Sequence, residues 1–210
     1  MMDKQRILIL APHTDDGEFG CGGTISKFIK EGKEVYYAAF STASDSVPEG
    51  FPENILEVEV KKATKKLGIP EGNVIVYKYE VRKLNYFRQE ILEELTKLKK
   101  DICPELVFMP STRDLHQDHS TVAIEGIRAF KMSTILGYEV PWNNMDFHTQ
   151  AFVRLQEQHI KKKIEALLEY KSQQHRSYAS ENFIRSLAVT RGTQIAAEFA
   201  EVFEVVRWII

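Results

Sequence analysis

Arg6-Ile7-Leu8-Ile9-Leu10-Ala11, followed at once by Pro12-His13-Thr14-Asp15-Asp16-Gly17-Glu18, is the stretch on which the reading of this chain turns. The first half is nearly all aliphatic, the pattern of a central strand covered on both faces. The second half places one imidazole and three carboxylates within six positions, immediately after that strand. Like charges crowded at a strand end repel one another, and a bound cation is the simplest relief. Imidazole with carboxylate is an N/O ligand set suited to zinc and, with less preference, to iron, manganese or cobalt.

Beyond this stretch, short β-rich runs at 34–41, 73–79, 106–109, 135–140 and 151–155 alternate with helical periodicity at 24–31, 53–67, 87–99, 119–130 and 157–170. The run from Gly20 to Gly23 reads as a glycine-rich entry to the first helix, and Gly32 as its C-cap. A polar segment holding Ser44, Asp45, Pro48, Gly50 and Pro52 reads as a long loop able to reach over a site. The end, 194–208, reads as a last helix. Such alternation predicts an α/β domain with a mainly parallel sheet, whose ligand site lies in the loops beyond the carboxyl ends of the strands.

The 210 residues fit one ordinary domain spanning 1–210, with no repeat or linker to divide it. With 28 basic and 30 acidic residues there is no broad positive field for a phosphate backbone, so nucleic acid is not an expected partner. The leading apolar run is too short for a signal-peptide core or a membrane span, which predicts a soluble, cytoplasmic protein. Cys21 and Cys103 lack CxxC spacing and are expected to be reduced and buried.

A second dense cluster, Asp114-Leu115-His116-Gln117-Asp118-His119, follows the strand at 106–109. A lone HxDH would read as a helix cap. Two clusters of the same ligand chemistry at two strand ends point instead to one metal site, because neighbouring parallel strands bring their carboxyl ends together. The glycine run does not complete a G-x-G-x-x-G fingerprint, and an acidic loop would repel a pyrophosphate, so a dinucleotide site is not expected.

The run from His13 through Gly23-Thr24 resembles the opening motif of the LmbE-like, or PIG-L, deacetylases. His116 to His119 resembles their second motif, and the Lys-Ser-Gln of segment 161–174 extends the likeness. The resemblance implies a Rossmann-like three-layer α/β/α sandwich and a zinc-dependent N-deacetylase acting on N-acetylglucosamine-containing molecules. Position by position, it makes His13, Asp16 and His119 the metal ligands and Asp15 the general base toward water. It gives His116 the second electrophilic and proton-donating role, and it allows a homo-oligomer. Thr14 and Gly17 depart from the usual proline and glutamate without removing a proposed ligand.

Asp118 is expected to orient an imidazole, either His116 or His119, or else to cap the helix that follows. Glu18 has two readings, a hydrogen-bond partner behind the ligands or a surface acid. Arg82, Arg88 and Arg113 offer guanidinium forks for substrate hydroxyls or phosphate, with Arg113 best placed by sequence. Trp142 and Asn143, within an aromatic and amide-bearing segment, suit a sugar ring. His148, His159 and His175 read as packing or surface residues. Two other functions fit the same residues: a non-catalytic sugar or metabolite sensor retaining the metal pocket, which the presence of Asp15 argues against, and a metal hydrolase of a non-sugar amide or ester.

Overall fold

A computed structural model describes residues 5–210; Met1 to Lys4, the start of the domain expected over 1–210, lie outside the described residues. The opening aliphatic run forms β1 (Arg6–His13), two residues longer than expected, so that the strand ends on the first candidate ligand. It pairs in parallel with β2 (Glu34–Ser41) on one side and β4 (Leu106–Pro110) on the other. β3 (Val74–Val76) and β5 (Thr134–Tyr138) extend the parallel sheet outward. The loops that leave β1 and β4 therefore emerge side by side.

Alternation along the strands sets the layers. Ile7, Ile9 and Ala11 of β1 pack with one buried cluster, and Leu8 and Leu10 with the other. The first cluster is covered by α1 (Asp16–Lys30), α2 (Ile55–Leu67), α5 (Glu157–Leu167) and α6 (Glu181–Thr193). The second is covered by α3 (Arg88–Ile102) and α4 (Gln117–Ala129). The result is the expected α/β/α sandwich with a mainly parallel sheet.

The chain end differs from its sequence reading. Residues 194–208 were expected to be helical; instead β7 (Phe199–Arg207) inserts antiparallel between β5 and β6 (Ala151–Leu155), completing the order β3-β2-β1-β4-β5-β7-β6. Glu198, Glu201 and Glu204 recur every third residue and imitate a helix face. Two of them are buried acids with assigned partners. Glu204 accepts from the Ser111 and Thr112 hydroxyls, and Glu201 accepts from the Gly23 and Thr24 amides and the Lys163 ammonium.

Those Glu201 contacts explain α1 as well. The helix starts at Asp16, eight residues before the expected 24–31 segment, and kinks at Cys21, whose φ of −146° leaves the helical region. The Glu201 carboxylate takes the amides freed at the kink, and Lys163 Nζ donates to the Phe19 carbonyl at 2.6 Å. The glycine run is thus inside the helix. Gly20 lies against the Tyr138 ring, where a Cβ would overlap the aromatic carbons, so only glycine lets α1 approach β5 this closely. Cys21 is buried as expected, but Cys103 is exposed, in a left-handed conformation at the end of α3.

Candidate metal centre and its cavity

β1 delivers His13, and the first turn of α1 delivers Asp16. α4, starting just beyond the β4 loop, delivers His119 from the neighbouring strand end. Three donor atoms converge: His13 Nδ1 lies 3.1 Å from Asp16 Oδ2, His119 Nε2 lies 3.2 Å from the same oxygen, and the two nitrogens are 3.3 Å apart. Donors held about 2.0–2.1 Å from a tetrahedral metal stand roughly 3.3 Å from one another, so this triangle has the size and the N/O chemistry of a three-ligand site. A ring nitrogen of His116 lies within 4.8 Å of those of His13 and His119. His116 Nδ1, however, accepts the Asp118 amide at 3.2 Å, as the N-cap of α4, and Asp16 makes the tighter third corner.

Each proposed imidazole ligand is held from behind by a carboxylate. His13 Nε2 meets Asp118 Oδ2 at 2.9 Å, and His119 Nδ1 meets Asp114 Oδ2 at 2.7 Å. The partner of Asp118 is therefore His13, rather than the expected His116 or His119, because Asp118 reaches across from α4 to the end of β1. Asp118 also accepts the amides of Arg82 and Leu84, which fixes the turn after β3. Asp114, buried and bonded also to the His116 amide, was missed by sequence reasoning. Its signal was present: an acid five residues before a candidate ligand in a loop rich in them.

Protonation follows from these contacts. Burial disfavours charge on His13, but the Asp16 and Asp118 carboxylates outweigh it and push its pKa up to about 9. His119, opposed by the same burial, is raised to about 10 by Asp16 and Asp114. Asp16 is held far below the usual carboxylate range despite burial, through His119 and His13. Burial and the neighbouring Asp16 raise Asp15 to about 6. His116 is lowered by burial and by the two other imidazoles. With Nδ1 accepting the Asp118 amide, its single proton sits on Nε2, which makes it a neutral hydrogen-bond donor.

Glu18 is neither surface acid nor ligand. Fully buried, it sits between the Tyr37 and Tyr170 hydroxyls, both also within bonding distance of the Thr14 carbonyl, and burial pushes its pKa up to about 8. This network braces the peptide just before Asp15.

A cavity of about 250 Å³ opens over the triangle. Of the candidates named from sequence, Asp15, His116, Arg82, Trp142 and Asn143 line it. Arg113 does not; it pairs with Asp146 on the surface at 2.6 Å. Arg88 pairs with Glu125, and His159 closes the capping box of α5. Sequence reasoning missed Phe19, Gln173, Arg176 and Tyr178, which complete the wall. Trp142 stacks on Tyr178 with ring centroids 3.8 Å apart, and Phe19 meets both edge-on. The long polar loop contributes Ala43 and Ser46.

Comparison with known proteins yields a consistent family. Residues 8–130 match the model described as PIG-L, GlcNAc-PI de-N-acetylase. The chain is 27% identical over 176 residues to the uncharacterized deacetylase YaiS of Escherichia coli (strain K12), covering 80% of this chain and 92% of that protein. It is 29% identical over 136 residues to the diacetylchitobiose deacetylase of Thermococcus kodakarensis, covering 60% of this chain but only 49% of that enzyme. Among solved structures, GalB, the 4-carboxy-2-hydroxymuconate hydratase of Pseudomonas putida KT2440, superimposes with a TM-score of 0.78 at 16% identity, covering 98% of both chains. That likeness shows the fold alone, and the fold carries more than one water chemistry.

Proposed function

The chain belongs to the PIG-L family, and we propose that it is a zinc-dependent hydrolase that removes the N-acetyl group from an N-acetylglucosamine-type amino sugar or its conjugate. The observation that carries this reading is the donor triangle of His13 Nδ1, Asp16 Oδ2 and His119 Nε2, with Asp15 and His116 on the same cavity wall. A divalent metal held by those three atoms would supply Lewis acidity toward the acyl oxygen and toward water.

The remaining chemistry belongs to the chain. Asp15, with a proton affinity near 6, is ionised at neutral pH yet basic enough to take a proton from the attacking water. The His116 Nε2–H hydrogen-bonds to the oxygen that gains charge as the acyl carbon becomes tetrahedral, and the proton that Asp15 took from water passes to the amine nitrogen as the C–N bond breaks, releasing acetate and free amine and restoring the Asp15 carboxylate. Asp118 and Asp114 fix the proton-bearing nitrogens of His13 and His119, so that the opposite nitrogens face Asp16. The stacked Trp142 and Tyr178 offer an apolar face to a pyranose ring, and the Asn143 amide suits its hydroxyls. In a reducing, cytoplasmic setting the two cysteines would remain thiols.

The test is acetate release across N-acetylated sugars, glycosides and sugar nucleotides, run alongside metal analysis of the purified protein. Metal near one equivalent with acetate formed from at least one amino sugar supports the proposal. Metal-replete protein that binds a sugar without turnover would favour the sensor.

A further inference from the structure

Phe19 belongs to two cavities at once. It lines the cavity over the donor triangle, and with Trp142 it also borders a second cavity of about 20 Å³. Gly20, Pro141, Phe183, Ile184, Ala188 and Val202 lie around that second space. Its charged neighbours are already matched, Lys163 with Glu201 at 2.7 Å and Arg191 with Glu139 through bonds of 2.9 and 2.7 Å, so it offers an apolar interior. At that size it has room for about one water and none for a carbon chain.

The position of Phe19 follows from the helix. It stands three residues after Asp16 on α1, so the two side chains share a face and the ring comes to the cavity beside the third corner of the triangle. The ring is 8% exposed and meets Trp142 and Tyr178 edge-on, with centroids 5.1 and 5.5 Å away. Its backbone is held by the bond from Lys163 Nζ to the Phe19 carbonyl, and the next residue, Gly20, is packed against Tyr138. These contacts fix the helix, so the ring acts as a rigid wall.

A rigid wall sets a size limit. The acyl carbon carries one substituent besides the amine, and the apolar part of the cavity wall must receive it. Leu56, also on that wall, backs onto the first core cluster, where close packing leaves a chain no way forward. Phe19 and Trp142 back onto the second cavity instead. An acyl chain lengthened in their direction is stopped by the ring, and beyond the ring lies apolar space.

Resting on the deacetylase reading, we infer that Phe19, supported by Trp142, is the stop that limits the acyl group to acetyl, and that the second cavity is the space a longer aliphatic acyl chain enters once the ring is removed. Phe19 is then a specificity-determining residue that takes no part in proton transfer.

The experiment compares kcat/KM of metal-loaded enzyme for the methyl glycosides of N-acetyl-, N-butyryl- and N-hexanoylglucosamine. Wild type should favour acetyl over butyryl by about tenfold or more. Phe19→Ala should raise the butyryl-to-acetyl ratio by about tenfold or more, in keeping with a gain of about fourfold for each methylene buried, and Phe19→Leu should raise it less. Ala188→Leu, which fills the second cavity from α6, should leave acetyl turnover unchanged, and in the Phe19→Ala background it should cancel most of the gain for hexanoyl. Circular dichroism melts and metal content establish that each variant is folded with its donor triangle intact.

Equal kcat/KM for acetyl and butyryl in the wild type, or an unchanged ratio in Phe19→Ala, overturns the inference and leaves the deacetylase reading standing. A Phe19→Ala gain that survives Ala188→Leu overturns the role of the second cavity. If none of the three glycosides is hydrolysed, the deacetylase reading fails for glucosamine amides, and calorimetric binding of the same compounds decides the stop. Tighter binding of acetyl by wild type and of hexanoyl by Phe19→Ala supports it; the same order of affinities in both proteins overturns it.

Discussion

Asp118 Oδ2 stands 2.9 Å from His13 Nε2, across 105 residues of chain, and so ties the end of β1 to the first turn of α4. The same carboxylate accepts the Arg82 and Leu84 amides, which makes one acid the common anchor of a proposed ligand and of a cavity-lining turn. Asp118→Asn should therefore weaken metal affinity by roughly 10–100-fold, the usual cost of losing a carboxylate behind a ligand. Asp114→Asn should do the same through His119. Competition with a chelator of known affinity reads both values; unchanged affinity in the two variants would remove the orienting role.

Asp15 lines the cavity but makes no contact within the donor triangle. Asp15→Asn should keep its metal and lose roughly 10²–10⁴-fold in kcat, the scale of general base catalysis. His119→Ala should lose both. Metal analysis paired with acetate release separates the two cases, and an Asp15→Asn enzyme that turns over at the wild-type rate contradicts the assignment.

The histidines give a pH dependence with a definite sign. His13 rises from an ordinary value of 6.5 to about 9, and His119 from 6.5 to about 10, so both carry protons at neutral pH in metal-free protein. Below 6.5 their interactions with Asp16, Asp114 and Asp118 stabilise the fold in full. Above it the unfolded chain releases protons that the folded chain retains, so metal-free stability should fall as pH rises through 9 and 10. Metal uptake requires neutral nitrogens and should expel up to two protons. Calorimetry in buffers of differing ionisation enthalpy counts them; zero protons released at pH 7 would show that the imidazoles do not bind the metal.

Much of this arrangement was legible in the sequence because it rests on local pattern. The aliphatic run 6–11 can only be an inner strand, and acids and imidazoles placed directly after two strands must share one edge once those strands are neighbours. What escaped notice depends on contacts distant in the chain. Glu201 and Glu204 look like the polar face of a helix until Gly23, Thr24, Ser111 and Thr112 are seen to bond them, and so β7 was read as helical. Arg113 stood nearest the second cluster in sequence, yet Asp146 draws it to the surface. Arg176 carried no local signal, since Glu59 and Gln173 position it from another element and an irregular segment.

The buried Lys163–Glu201 pair supports the kink of α1, with Nζ and Oε1 2.7 Å apart. Lys163→Met should destabilise the protein by about 3–5 kcal/mol, because it leaves a buried carboxylate without its cation. The double variant Lys163→Met/Glu201→Gln should recover part of that loss by removing the stranded charge. Urea denaturation measures both, and a double variant no more stable than the single one would show that the kink, not the charge, dominates the cost.

Hydrolysis by an activated water is the central claim, and labelled water tests it most directly. Metal-loaded enzyme turning over an N-acetylated amino sugar in ¹⁸O water should release acetate carrying one ¹⁸O atom, in equal amount to the free amine, as mass spectrometry of both products would read. Acetate without the label, or amino-sugar probes consumed with no acetate formed, would contradict the account.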